Sequence, residues 1–117
     1  MKRILLMRHS VAEHGSTDIT DEERSLTAHG LVLIKTQALK LQQASILPDL
    51  LISSHAIRAN YTATILAVHL GFTNQIKVEP FLYRDFTTPQ FINYVHILPE
   101  TCNTVLFVGH NPTISTL

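Results

Sequence analysis

Two arginines and two histidines in this sequence have the side chains to hold and attack a phosphoryl group. Arg8 and His9 lie near the amino terminus, Arg58 in the middle and His110 near the end. A guanidinium is a planar fork of N–H donors that matches phosphate oxygens, and a neutral imidazole carries a lone pair able to attack phosphorus in line. Such an attack leaves the phosphoryl group on histidine until water removes it. Cations set against the equatorial oxygens supply most of the catalysis, so the chemistry calls for neither a metal nor another cofactor. Metal binding is the rival use of seven histidines. No His-Glu-x-x-His or Cys-His spacing supports it, and a pair of arginines repels a cation.

For these groups to act together the fold must gather them, and the apolar pattern predicts how. Lys2–Met7 reads as a central strand, since its continuous apolar run implies burial on both faces, and Arg8-His9 follows at its carboxyl end. Leu50–Ile52 predicts a second strand ending in Ser53-Ser54-His55. Thr104–Val108 predicts another, ending in Gly109-His110-Asn111-Pro112. Between the first two, Thr27 is placed to cap a helix running to about Ala44, with Leu31, Ile34, Ala38 and Leu41 on one face.

Ser53 or Ser54 is placed to cap a following helix, with Arg58 in its first turn, Ala59, Ala63, Leu66 and Leu70 on one face, and Gly71 at its close. A cation in a first turn is mildly disfavoured by the helix dipole, which a bound anion would explain. Ile76–Glu79 alternates before Pro80 and predicts a half-exposed edge strand, and Pro89 to about Leu98 predicts a further helix. Strand, helix, strand is the βαβ unit of a parallel sheet, whose ligands bind at the carboxyl ends of strands. Arg8-His9, Ser53 through Arg58 and Gly109-His110-Asn111 then face one crevice.

At 117 residues the chain is expected to form one soluble domain, 1–117. Nine basic residues balance nine acidic ones, so no overall field draws nucleic acid or an anionic membrane. Any anion site must be local. Cys102 is the only cysteine, which excludes an internal disulfide and fits a reducing compartment, with the cytoplasm as the expected location. The apolar part of Met1–Met7 is too short for a signal peptide, and no run approaches the roughly 20 apolar residues that span a bilayer. The polar stretch from His14 to Arg24 reads as a solvated excursion beside the first strand end, where it can also rim a pocket. His14, His29, His69 and His96 read as surface residues, and His55 as part of the rim.

On these motifs the sequence resembles the histidine phosphatase superfamily, also called phosphoglycerate mutase-like. The family's Arg-His-Gly hallmark corresponds to Arg8-His9-Ser10. The likeness continues through Leu26-Thr27-Ala28-His29-Gly30, through Ser53 to Ala63, and through Val108-Gly109-His110-Asn111-Pro112. The short phosphohistidine phosphatase branch is the nearest match. The resemblance implies a three-layer α/β/α fold with a mostly parallel sheet. It also implies His9 as nucleophile, Arg8 and Arg58 as the grip on the phosphoryl group, and His110 as a second pocket histidine that donates to it. Ser10, where the family has glycine, and His55 join the expected substrate-binding residues. Larger members use a carboxylate as general acid, for which Asp85 is preferred here over Glu79. A phosphoramidate needs less help from an acid than an alkyl phosphate. Family members continue past Gly-His-Asn-Pro through a helix and a further strand, so the expectation is either a domain short of both or a sheet completed differently, for example by association.

The function that follows is a metal-independent phosphatase working through a phosphohistidine, with phosphohistidine on a protein as the favoured substrate. A phosphatase for a small phosphate ester is the second reading. The third is a catalytically inert phosphate-binding or interaction domain.

Overall fold

The computed structural model describes residues 2–15, 18–83 and 86–110. Among these residues four strands and three helices follow in the order β1 (Arg3–Arg8), α1 (Ala28–Gln43), β2 (Leu50–Ser53), α2 (Ile57–Leu70), β3 (Lys77–Val78), α3 (Thr88–His96) and β4 (Thr104–Gly109). Short 3-10 turns at Asp21–Glu23 and Pro80–Leu82 interrupt the connections. The strands form one parallel sheet in the order β1-β4-β2-β3. The last of the described strands is thus inserted between the first two, which brings three carboxyl ends side by side.

Alternation along the strands divides the core. Leu5, Met7, Leu51, Leu106 and Val108 face α1 and α2, where Ala38, Ala59, Ala63 and Ala67 let the helices pack closely. Ile4, Leu50, Ile52, Val105 and Phe107 face the other way, against Leu82, Phe86, Phe91 and Leu98 around α3. The continuous apolar runs of β2 and β4 are therefore buried on both faces, as parallel strands between helical layers require. The three layers and the parallel sheet are those expected of the phosphoglycerate mutase-like fold.

Local signals act where the sequence put them. The Thr27 side chain accepts the Gly30 N–H at 3.0 Å and caps α1. Gly71 closes α2 at φ +72°, a left-handed conformation that glycine adopts without strain. Thr87 and Gln90 form a reciprocal capping box on α3, with Pro89 in its first turn.

Three expectations need correction. β1 is not central among the described strands: it pairs with β4 alone, and Leu6 is 39% exposed. An apolar run reports that side chains can be buried, but not how many neighbours a strand has. The edge strand is only Lys77–Val78, both exposed, because it pairs with β2 only through Ile52 and Ser53. Neither serine caps α2, whose N-cap is Ala56. Ser54 instead accepts the Ala56 N–H at 3.2 Å, from a position three residues before the helix begins.

Candidate active site

The site forms where β1, β4 and β2 end together. Backbone hydrogen bonds carry the strand register past the sheet, from His9 N–H to the Gly109 carbonyl at 3.0 Å and from Ser54 N–H to the Val108 carbonyl at 3.1 Å. His9, Ser54 and His110 are thereby set on adjoining chain ends. α2 starts just beyond, and its first turn directs Arg58 toward them.

His9 is held by both ring nitrogens. Nδ1 lies 2.7 Å from the Ser10 carbonyl, which only accepts, so the proton sits on Nδ1. Nε2 keeps its lone pair and accepts from Arg58 Nε at 3.3 Å. Burial, followed by the positive charges of Arg58, Arg8 and Arg24, lowers the His9 pKa from its ordinary 6.5, against an opposing pull from the Ser10 carbonyl. The imidazole is thus a neutral base with its reactive nitrogen facing a cation.

The loop that presents His9 is tightly braced. Ser10 N–H donates to Thr62 Oγ1 at 3.1 Å, and Thr62 in turn donates to the Arg58 carbonyl at 2.7 Å. Ser10 Oγ donates to the Gly30 carbonyl at 2.7 Å. That hydroxyl, expected among the substrate-binding groups, fastens the loop to α1. A Cβ on Gly30 would stand 2.4 Å from the Val11 carbonyl, so only glycine allows α1 to approach so closely.

Arg58 is 6% exposed. Besides its bond to His9, it donates from Nη1 to the Asp21 carbonyl at 2.5 Å and from Nη2 to the Asp21 carboxylate at 2.9 Å. Tyr83 donates its hydroxyl to the same carboxylate, and Arg24 Nη1 lies 2.9 Å from the other oxygen. Hydrogen bonds from Tyr83, then Arg24 and Arg58, hold the Asp21 carboxyl well below the usual range despite some desolvation. A carboxylate therefore sits on the guanidinium that was expected to grip phosphate.

His110 is 5% exposed, and its ring centroid lies 5.1 Å from that of His9. Burial first, then the charge of Arg58, lowers its pKa to about 3, so it is neutral at pH 7. Tyr83 packs edge-on against it, with centroids 5.2 Å apart. Arg8 is exposed and lines a cavity of about 380 Å³ together with His9, Arg24 and Leu33.

The structure thus brings His9, Arg58 and His110 together, while Arg8 shares a cavity with His9 and Arg24 that neither Arg58 nor His110 lines. His55 stays at the rim, bonded to Glu22 at 3.2 Å and stacked near Tyr83. Glu79 faces Lys77 at 3.9 Å rather than the pocket histidines. Asp85, the preferred general acid, and Asn111-Pro112 lie outside the described residues. Asp21, Arg24, Tyr83 and Thr62 were not singled out from sequence. The signal available for the first two was an acidic stretch ending in arginine beside the Arg-His strand end, and it reads more simply as solvated surface.

No protein-family model matches the sequence, and no curated protein matches it. Solved structures do. A protein assigned as the phosphohistidine phosphatase SixA of Agrobacterium tumefaciens superposes with a TM-score of 0.83 at 25% identity, over 97% of this chain and 72% of that one. The protein histidine phosphatase SixA complexed with tungstate gives 0.88 at 23% identity over the same shares. A mycobacterial glucosyl-3-phosphoglycerate phosphatase complexed with VO3 gives 0.73 at 18% identity, over 100% of this chain and 80% of that one. The structural neighbours are thus SixA phosphohistidine phosphatases and other histidine phosphatase, phosphoglycerate mutase-like proteins, and the chain has their fold.

Proposed function

We propose, for a chain with the histidine phosphatase fold, that it is a metal-independent phosphatase whose nucleophile is His9 and whose favoured substrate is phosphohistidine on a protein. The observation that carries this reading is the state of His9. Its Nδ1 proton is fixed on the Ser10 carbonyl, and its Nε2 lone pair stands 3.3 Å from the nearest nitrogen of a buried guanidinium. A tetrahedral anion held on that guanidinium brings its phosphorus to the nucleophile.

The Nε2 lone pair forms the new P–N bond while the bond from phosphorus to the leaving group breaks. The leaving group departs with the electron pair and takes up a proton. Water then attacks the phosphohistidine, the P–N electron pair returns to Nε2, and inorganic phosphate leaves. In this reading Arg58, with Arg8 and Arg24 beside His9, offsets the charge on the oxygens, and His110 supplies a further donor. A leaving imidazole can already carry a proton, so a protein phosphohistidine makes the smallest demand for a general acid. The site opens into a cavity lined by exposed Arg8, which suits a side chain presented by another protein.

Incubation with a phosphorylated histidine-containing domain, followed by quenching and mass spectrometry, is expected to find an acid-labile phosphoryl group on His9. A label on any other residue overturns the mechanism. A small phosphate ester is the second reading, favoured by the likeness to a glucosyl-3-phosphoglycerate phosphatase. Faster turnover on a panel of sugar and nucleotide phosphates than on the phosphorylated domain would establish it instead. Phosphate binding without turnover on either would leave an inert binding domain.

A further inference from the structure

The two ring nitrogens of His110 have unlike surroundings. Nε2 lies 2.8 Å from Ser54 Oγ. Nδ1 is buried and has no hydrogen-bond partner among the described residues. Ser54 is itself fully buried, and its Oγ already accepts the Ala56 N–H. The hydroxyl has one proton of its own to give, and among the described residues Nε2 is the acceptor it meets.

The two neutral tautomers can be told apart by counting what each leaves unmet. If Ser54 donates to Nε2, the imidazole proton is on Nδ1, and one buried donor lacks a partner. If Nε2 is protonated and donates to Ser54, both the hydroxyl proton and the Nδ1 lone pair are stranded in a buried site. Two unmet groups are worse than one. Full protonation would also strand the hydroxyl proton, and would set a second positive charge beside Arg58.

We infer that Ser54 is a positioning residue that sets the tautomer of His110, keeping the proton on Nδ1 as a buried donor for a ligand oxygen. The backbone makes this possible. The turn from β2 into α2 points the Ala56 N–H at Ser54 Oγ, which uses one lone pair of the hydroxyl and turns its proton toward the histidine. In this respect the residue expected as a helix cap acts on the pocket rather than on the helix. The use of that donor for a phosphoryl oxygen rests on the proposed phosphatase reading, whereas the tautomer itself does not.

The test is a two-bond ¹H–¹⁵N correlation spectrum of the ¹⁵N-histidine-labelled protein at neutral pH, with His110 assigned by the signals lost in His110→Gln. The wild type is expected to show a protonated-type nitrogen at Nδ1 and an unprotonated type at Nε2. The reverse pattern overturns the inference whether or not the protein is a phosphatase. Inorganic phosphate is expected to shift the Nδ1 signal, and Ser54→Ala to give averaged shifts of a mixed tautomer. In turnover assays Ser54→Ala is expected to lower kcat by about tenfold or more with little change in KM, as loss of a positioning partner does, and Ser54→Thr to restore both spectrum and rate. A folded Ser54→Ala with the wild-type tautomer overturns the role given to Ser54. A normal tautomer pattern in a protein that turns over no phosphorylated substrate refutes the phosphatase reading alone.

Discussion

Arg58 and Arg8 both adjoin His9, in opposite environments. Arg58 is buried, and three of its nitrogens are committed to His9 and Asp21. Arg8 is exposed on the cavity, and its side chain makes no hydrogen bond or ion pair with the described residues. A guanidinium oriented in advance stabilises developing charge without reorganising, but an arriving anion must first share it with Asp21 or displace that carboxylate. An exposed guanidinium attracts an anion at once and holds it less firmly. On the proposed reading the buried guanidinium would serve the transition state and the exposed one capture.

The largest effect belongs to the residue that both arginines adjoin. His9→Ala is expected to lower turnover by on the order of 10⁴-fold or more while titration calorimetry still detects phosphate binding. Unchanged turnover would remove the nucleophile from the scheme. Next comes the contrast itself. Arg58→Ala is expected to lower kcat about 10²- to 10³-fold, as loss of an oriented transition-state donor does, and to weaken phosphate binding as well. Arg8→Ala is expected to act mainly on KM and its salt dependence. Equal effects of the two on kcat would erase the distinction.

The pH dependence sharpens the same comparison. Because burial and the neighbouring arginines lower the His9 pKa, the acid limb of kcat/KM is expected below 6.5. A limb at 6.5 or higher would mean that His9 is not so enclosed. Folded His9 and His110 both bind protons less readily than in the unfolded chain, so the unfolded state takes up protons first. Stability is therefore expected to fall as pH drops below 6.5, continuing toward about 3 for His110. Denaturant titrations at pH 7.5, 6 and 4.5 measure this, and replacing His110 by Gln should reduce the slope.

The smallest effect concerns Asp21. Its side chain is 47% exposed, and exposed ion pairs contribute at most about 1 kcal/mol. Asp21→Asn is therefore expected to tighten phosphate binding by no more than about fivefold. Weaker binding in this variant would show that Asp21 holds Arg58 in place for the ligand rather than competing with it.

Much of this was legible along the chain, and the exceptions have physical causes. The Thr27 cap, the Gly71 stop and the two-faced burial of β2 and β4 depend on nearest neighbours and on periodicity, both of which are written locally. The outer position of β1 was not legible, since an apolar run looks the same beside one strand as beside two. Ser54 was read as a cap because serine before a helix usually is one, and its bond to His110 spans 56 positions. Asp21 looked like solvated surface for the same reason: its partners Arg58 and Tyr83 are 37 and 62 residues away.

The amino-acid order alone determined which groups could do phosphoryl chemistry and on which strand ends and helix turn they would stand, because residue type and apolar period are properties of short stretches. Only the folded chain decided that β4 enters between β1 and β2, that a carboxylate rests on Arg58, and that a buried serine meets the second imidazole. Those outcomes depend on which distant segments share a volume and on how each buried donor finds its acceptor there, and no short stretch of sequence contains that pairing.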